Sequence, residues 1–154
     1  MLLDKKELVS KLGKENPLIG FTASSFDLLH SGHLVMLKEA KEHCDYLIVG
    51  LLTDPTFDRP DEKNKPIQSI FERYIQVASC KYVDEVIPFE SEQDLIDMIL
   101  TINPDIRFCG HEYKDTKHTG HDLCKIYYNE RRHSFSTSEL RQRVVDSGML
   151  DKAV

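Results

Sequence analysis

Two histidines three positions apart are the residues of this chain best suited to chemistry on a phosphate. His30 and His33 flank Gly32 in the run Phe26-Asp27-Leu28-Leu29-His30-Ser31-Gly32-His33, which follows a predicted strand and opens a predicted helix. Backbone N–H groups and the dipole at a helix N-terminus favour negative charge, and Gly32 lets the backbone approach a ligand closely. The spacing predicts an anion site in which both imidazoles, protonated or as hydrogen-bond donors, stabilise charge on phosphorus.

Plainer interpretations of the histidines stay open. The spacing of His30 and His33 also fits a helix cap with one packed and one exposed ring, and a zinc pair is disfavoured because no third ligand lies nearby in sequence. His118, His121 and Cys124 recur at intervals of three, which suits a metal site on a helix, but the glycine and polar residues among them favour a loop. No direct metal ligation by protein side chains is therefore predicted.

Two other segments carry groups that can bind phosphate. Ser136-Thr137-Ser138-Glu139 combines a capping box with three hydroxyls, and the pair Arg131-Arg132 lies just upstream. Lys63 and Lys65 lie in a polar loop, and Arg73 lies on the helix predicted to follow it. A plain helix cap with surface arginines and a solvated mobile loop are the alternatives for these two segments.

The elements that must position these groups alternate between strands and helices. Strands are predicted over 18–23, 46–52, 85–88, 105–109 and 123–128, and helices over 4–12, 32–43, 69–78, 91–101 and 136–147. This alternation predicts an α/β fold with a Rossmann-like doubly wound parallel sheet, forming a single domain over 1–154 with an extra N-terminal helix at about 4–12. Asp4 would cap that helix and Gly13 would end it. Ligands in such folds bind at the carboxyl ends of the strands, where the candidate groups fall.

Length and composition are those of a soluble globular domain. A chain of 154 residues buries enough surface to fold without a disulfide or a metal. Four widely spaced cysteines without a CxxC pair are expected to be reduced thiols in a cytoplasmic protein. The longest run without a charged residue, 16–26, is shorter than the roughly 20 residues of a membrane span, and the N-terminus lacks the order of a signal peptide.

The charge is distributed unevenly along the chain. The net charge of −6 argues against a nucleic acid partner, which usually requires a basic face. Residues 84–105 contain seven acidic residues and no Lys or Arg, whereas residues 125–143 contain five basic and two acidic residues. The electrostatic potential at a helix N-terminus depends on nearby groups more than on the net charge of the chain. A small polyanionic ligand is therefore compatible with the net negative charge.

Taken together, these segments resemble the nucleotidyltransferase superfamily with the HxGH motif, and within it the small bacterial glycerol-3-phosphate cytidylyltransferases. The resemblance extends over about 19–143 and includes Tyr82-Val83-Asp84-Glu85-Val86-Ile87-Pro88. It implies attack of an acceptor phosphate on the α-phosphorus of a nucleoside triphosphate, release of pyrophosphate, and no covalent intermediate. It also implies Mg²⁺ bound with the nucleotide and a homodimer.

The resemblance further implies roles for individual residues. His30 and His33 would contact the triphosphate and stabilise the transition state, and Lys63 or Lys65 would neutralise phosphate charge. Arg131 would join them as a catalytic residue. The other positions implied to bind the nucleotide are Ser24, Ser25, Phe26, Gly32, Arg73, Gly110, His111, Ser136, Thr137 and Ser138.

Several positions depart from the cytidylyltransferase pattern and reopen the choice of substrates. Ser24-Ser25 stands where glycine–threonine is usual, and His111 replaces an acidic residue. The segment 110–120 also resembles a loop of related sugar-phosphate nucleotidyltransferases. The first hypothesis is transfer of CMP from CTP to a small phosphorylated alcohol or polyol such as glycerol 3-phosphate. The alternatives are an adenylyltransferase that uses ATP on a sugar phosphate or cofactor precursor, and a non-catalytic nucleotide-binding module.

Overall fold

Five parallel strands form one sheet in a computed structural model that describes residues 5–150. The strands are β1 (Ile19–Ser24), β2 (Tyr46–Leu52), β3 (Glu85–Phe89), β4 (Ile106–Cys109) and β5 (Ile126–Tyr128). The helices are α1 (Lys5–Leu12), α2 (Ser31–Glu42), α3 (Ile70–Ala78), α4 (Glu92–Ile102) and α5 (Thr137–Leu150), and a 3₁₀ turn covers His111–Tyr113. The order β3-β2-β1-β4-β5 confirms the predicted Rossmann-like parallel sheet.

Each face of the sheet is covered by an apolar layer. On one face, side chains of α1 and α4 such as Leu8 and Ile99 pack against Phe21 of β1. On the other face, Leu37 of α2 packs in a cluster with Val77 of α3. Leu8 is 1% exposed, so the N-terminal helix covers a face of the sheet.

Element ends mostly fall within a residue or two of their predicted positions. Ser69 and Ser91 are N-caps rather than first helical residues, because their hydroxyls accept hydrogen bonds from the amides of the third residues that follow. Gly13 ends α1 with φ +65°, as predicted, whereas the predicted cap Asp4 lies outside the described residues. β5 begins at 126 instead of 123, because Gly120 adopts φ +71° and a turn occupies the preceding residues.

The order of the strands reverses between β1 and β4, and a crevice is expected where the two chain connections diverge. Thr22 of β1 lies opposite Val49 of β2 on one side and Phe108 of β4 on the other. The chain leaves β1 toward α2 and leaves β4 toward the 3₁₀ turn. A ligand crevice is expected at the carboxyl edge between such strands. Among residues 5–150, no helix combines the length and apolar character needed to cross a membrane.

Candidate active site

A cavity of about 490 Å³ opens at this edge of the sheet. Its volume suits a small-molecule ligand. The predicted site residues that line it are Ser24, Ser25, His30, Gly32, His33, Lys63, Gly110, His111, Arg131, Ser136 and Thr137. The predicted site residues that do not line it are Phe26, Lys65, Arg73 and Ser138. The strand ends and the N-termini of α2 and α5 thus bring most of the predicted set together.

The two histidines of the motif cap α2 and are oriented by backbone amides. His30 is the N-cap, and its Nδ1 accepts a hydrogen bond from the Gly32 amide at 3.0 Å. The Nδ1 atom of His33 accepts one from the His30 amide at 3.2 Å. Since Nδ1 of each ring is an acceptor, the ring proton of the neutral form resides on Nε2. The helix cap is therefore present and orients the Nε2 atoms of both rings, and the anion site that the spacing predicts is compatible with this cap.

Both imidazoles are held in the uncharged form near neutral pH. Burial lowers the pKa of His33 to about 4, with the neighbouring His30 adding to this effect and Asp27 opposing it. Burial also lowers the pKa of His30, and the nearby His133 and Arg131 act in the same direction. Without a bound anion, both rings are therefore mainly neutral near pH 7.

A short contact joins the two helix N-termini that face the cavity. Nε2 of His30 lies 3.2 Å from Oγ1 of Thr137 at the start of α5. The hydroxyl of Ser136 accepts a hydrogen bond from the Glu139 amide at 3.1 Å, one half of the predicted capping box. His30 and the first turn of α5 are therefore close enough to contact the same ligand.

The loop that delivers the motif is strained and closely packed. Phe26 and Leu28 have φ +49° and +48°, in the left-handed region that such side chains seldom adopt. Phe26 is fully buried, and its ring centroid lies 5.4 Å from that of His33, so its role is to pack beneath the histidine. A Cβ on Gly32 would lie 2.8 Å from Cε1 of His30, which explains why glycine occupies this position.

Arg73 binds backbone carbonyl oxygens near the ends of β1 and β2 and does not line the cavity. Its side chain is 2% exposed. Its guanidinium donates hydrogen bonds to the carbonyl oxygens of Gln68, Ser25, Leu52 and Thr53. Burial lowers the pKa of Arg73, and Asp27 and Asp54 oppose that shift. The donors of Arg73 are thus taken up by backbone carbonyl oxygens, which indicates a positioning role, and the phosphate contact expected for Arg73 stays a prediction.

An ion pair with a buried carboxylate ties the motif to distant parts of the chain. The Asp27 carboxylate accepts hydrogen bonds from the amides of Ile67 and Gln68, both at 2.9 Å. It also pairs with Nη2 of Arg141 on α5 at 2.9 Å. Burial by itself would raise the pKa of Asp27, but the two amides and Arg141 together lower it. Motif reading missed this pair, although Arg141 lies one helical turn beyond Thr137.

Replacing Asp27 with Asn should lower the free energy of unfolding by about 2–3 kcal/mol near pH 7, because it removes the buried negative charge that pairs with Arg141. The folded-state pKa lies below the ordinary value of about 3.9, so the carboxylate stabilises the fold fully above about that pH. Its contribution is lost as pH falls through the folded-state pKa. Urea unfolding as a function of pH should show the difference between the two proteins shrinking in acid, and a difference independent of pH would contradict this assignment.

The cavity is also lined by side chains that the sequence analysis did not assign to nucleotide binding or catalysis. Among these are Glu39, Arg59, Arg107, His118, Asn129 and His133. Nε2 of His118 lies 3.2 Å from the Tyr128 hydroxyl, and Nδ1 of His121 donates to the His118 carbonyl. Within 5–150, no three His, Cys, Asp or Glu side chains are grouped as a metal site.

Curated relatives with similar sequences match between about three quarters and nine-tenths of the chain. The bifunctional protein HldE of Campylobacter jejuni subsp. jejuni serotype O:6 is 34% identical over 143 residues, which are 92% of this chain and 31% of that protein. The bifunctional protein HldE of Nitratiruptor sp. is 40% identical over 120 residues, which are 77% of this chain and 26% of that protein. The chain thus spans about a third or less of the length of these curated relatives.

Solved structures confirm the fold. The lipopolysaccharide core biosynthesis protein from Thermoplasma volcanium GSS1 superposes with a TM-score of 0.55 at 24% identity, covering 86% of this chain and 90% of that one. The pantoate-beta-alanine ligase from Francisella tularensis superposes with a TM-score of 0.54 at 17% identity, covering 96% of this chain and 77% of that one. The family described as cytidylyltransferase-like matches residues 21–143, a range that contains the cavity-lining residues named above. The chain belongs to the cytidylyltransferase-like family of the nucleotidyltransferase superfamily.

Proposed function

We propose that this chain transfers a nucleotidyl group from a nucleoside triphosphate to a phosphorylated small molecule and releases pyrophosphate. The observation that carries the proposal is the pair of His30 and His33 rings, whose Nδ1 atoms accept backbone amides at the N-terminus of α2 and which line a cavity together with Lys63 and Arg131. Donors arranged in advance stabilise charge that develops in a transition state.

The arrangement suits an in-line displacement at the α-phosphorus. A phosphate oxygen of the acceptor forms the new P–O bond while the bond to the leaving pyrophosphate breaks, so no protein nucleophile is needed. His30 and His33 donate hydrogen bonds to the non-bridging oxygens as charge accumulates on them. Lys63 and Arg131 neutralise the pyrophosphate, and Lys65 contributes when its loop closes over the nucleotide.

Mg²⁺ belongs to this proposal as the partner of the triphosphate, whose charge it neutralises. The carboxylates that line the cavity are mostly engaged: Asp54 accepts a hydrogen bond from Thr56, Asp58 accepts one from the Glu92 amide, and Glu92 pairs with Arg59. Glu90 and Glu112 also line the cavity, and the described residues provide no hydrogen-bond partner for either carboxylate. This donor set fits an ion held mainly by phosphate oxygens and water, with at most one or two carboxylates.

ATP and a sugar phosphate are the substrates favoured over CTP and glycerol 3-phosphate. His111 stands where cytidylyltransferases have an acidic residue, and it lines the cavity. Relatives that match more than nine-tenths of the chain are bifunctional proteins HldE. The fold itself accommodates an adenine nucleotide, since the Francisella tularensis ligase was solved with Beta-gamma ATP.

Thermal shifts in the presence of each nucleotide test this choice. With Mg²⁺ and equal concentrations, ATP should raise the melting temperature more than CTP, because a ligand that binds only the folded state stabilises it according to its affinity. An Arg131→Met variant should lose most of the shift for both nucleotides. A larger shift with CTP in the unaltered protein would instead support the cytidylyl hypothesis.

The proposal includes a cytoplasmic homodimer. The four cysteines are free thiols, as expected in a reducing compartment. Large apolar side chains are exposed on and just before α3, namely Ile67, Phe71, Tyr74 and Ile75. Exposed apolar groups of this size are a common feature of subunit contacts.

A further inference from the structure

Arg107 is a buried cation that lacks an anionic partner. It lies on β4 and is 7% exposed. Its Nη1 atom donates to the Thr119 carbonyl at 2.6 Å, but its Nε atom is buried with no acceptor. Among the described residues no carboxylate forms an ion pair with it. A buried guanidinium in this state is unfavourable unless another group satisfies it.

Comparison with the other deeply buried arginine makes this feature clearer. Arg73 is buried to a similar degree, but its donors reach four backbone carbonyl oxygens and it lies outside the cavity lining. Arg107 has one such bond and lines the cavity. The hydrogen bonds of Arg73 to the backbone therefore explain why an arginine lies there. The single backbone bond of Arg107 does not, because its Nε atom remains without an acceptor.

None of the groups around Arg107 forms an ion pair with it among the described residues. After burial, Arg107 is the largest influence that lowers the pKa of His118. Burial raises the pKa of Cys109, so this neighbouring thiol is uncharged near neutral pH. The carboxylate of Glu92 accepts a hydrogen bond from the Thr119 hydroxyl at 2.9 Å and pairs with Arg59. The Glu92 carboxylate is thus engaged by other groups, and Arg107 remains without a paired carboxylate although Glu112 lines the same cavity.

A second buried atom in the cavity lining also lacks a partner. Asn129 follows β5 and is 6% exposed, and its Oδ1 atom has no hydrogen-bond donor among the described residues. Buried polar atoms are almost always paired in folded proteins. A ligand that brings an oxyanion to Arg107 and a hydroxyl to the cavity would satisfy both atoms. A phosphorylated polyhydroxy compound has this chemistry.

We propose that Arg107 binds an oxyanion of the phosphorylated acceptor, an inference that rests on the proposed nucleotidyl transfer. The nucleotide phosphates are assigned to the N-termini of α2 and α5, with His30 and Thr137. Arg107 enters the cavity from β4, next to Thr119 in the segment 110–120 that departs from the cytidylyltransferase pattern. This residue makes the acceptor site selective for an anionic substrate.

Binding can be tested without turnover, using inorganic phosphate as the probe. The Nε–H resonance of Arg107 in ¹⁵N NMR spectra is assigned by its loss in an Arg107→Met variant. Titration with phosphate at constant ionic strength should shift this resonance saturably, and sodium chloride should not shift it. A Lys63→Met variant should retain the shift, because Lys63 belongs to the nucleotide end. Absence of a phosphate-dependent shift would overturn the proposal.

Kinetics then distinguish the acceptor from the nucleotide. Arg107→Met should raise the KM for the acceptor at least tenfold and change the KM for the nucleoside triphosphate less than twofold. Arg59→Met is the matched control, since Arg59 lines the same cavity but is paired with Glu92. It should leave the acceptor KM within twofold.

Two outcomes separate this inference from the proposed function. If no acceptor and nucleotide react but the Arg107 resonance still responds to phosphate, the anion site stands and its assignment to an acceptor fails. If Arg107→Met unfolds at a lower temperature without ligand yet keeps the wild-type KM for the acceptor, Arg107 is only structural and the inference is wrong.

Discussion

Replacing His30 with Asn should lower kcat by about 10²–10³-fold while changing the melting temperature little. Asparagine is a good N-cap, so its side-chain oxygen can accept the Gly32 amide as Nδ1 of His30 does. It cannot reproduce the Nε2–H donor that faces Thr137 and the cavity. The variant thus removes the catalytic donor and keeps the cap. Steady-state pyrophosphate release and a thermal melt measure the two effects separately.

His43 provides the matched control for this experiment. It caps the opposite end of α2, where Nδ1 donates to the Glu39 carbonyl at 2.8 Å, and it does not line the cavity. Its replacement by Asn should leave kcat within about twofold, because it contacts no reacting group. If the His30 variant retained near wild-type kcat, or if both variants lost activity equally, the role assigned to His30 would be wrong.

Replacing Arg73 with Met should destabilise the protein by about 3–5 kcal/mol. Methionine retains the apolar stem but leaves four carbonyl oxygens beneath the cavity without the donors that satisfy them. Two of these oxygens belong to Ser25 and Leu52, at the carboxyl ends of neighbouring strands. Urea unfolding monitored by circular dichroism measures the loss directly.

An exposed arginine on α5 serves as the control for Arg73. Arg143→Met should change the free energy of unfolding by about 0.5 kcal/mol or less, as is usual for surface substitutions. A phosphate-binding role for Arg73 makes the opposite prediction: unchanged stability with a raised KM for the nucleoside triphosphate. That pair of results would restore the role that the family resemblance implies and contradict the structural one.

The fold is predictable from local patterns because each element carries its own signal. The continuous apolar run 46–52 reads directly as a buried parallel strand, and the alternation of strands with amphipathic helices leads to the observed sheet. Exact ends are harder to predict. β5 is shortened by the turn at Gly120, which has a positive φ and lies close to the side chains of Arg107 and Ile99. Such packing joins residues far apart in the chain.

In the candidate site, too, local features were predictable and long-range contacts were not. His30, Gly32 and His33 are recognisable because they act through one helix N-terminus, and neighbouring residues determine their geometry. The pair formed by Asp27 and Arg141 is not recognisable from the sequence, since 114 positions separate the two residues and only the folded chain brings them together. The sequence also leaves the role of Arg73 undecided for a related reason, because a cation near a phosphate motif serves equally to bind carbonyl oxygens.

Pyrophosphate release by the unaltered protein, measured for the four nucleoside triphosphates against a panel of phosphorylated acceptors, tests the central claim most directly. We predict pyrophosphate in equal amount to a nucleotidylated product, fastest with ATP and a sugar phosphate, and about 10²–10³-fold slower with the His30→Asn variant. Tight nucleotide binding without pyrophosphate from any pair of substrates would contradict the account and identify a nucleotide-binding module without catalysis.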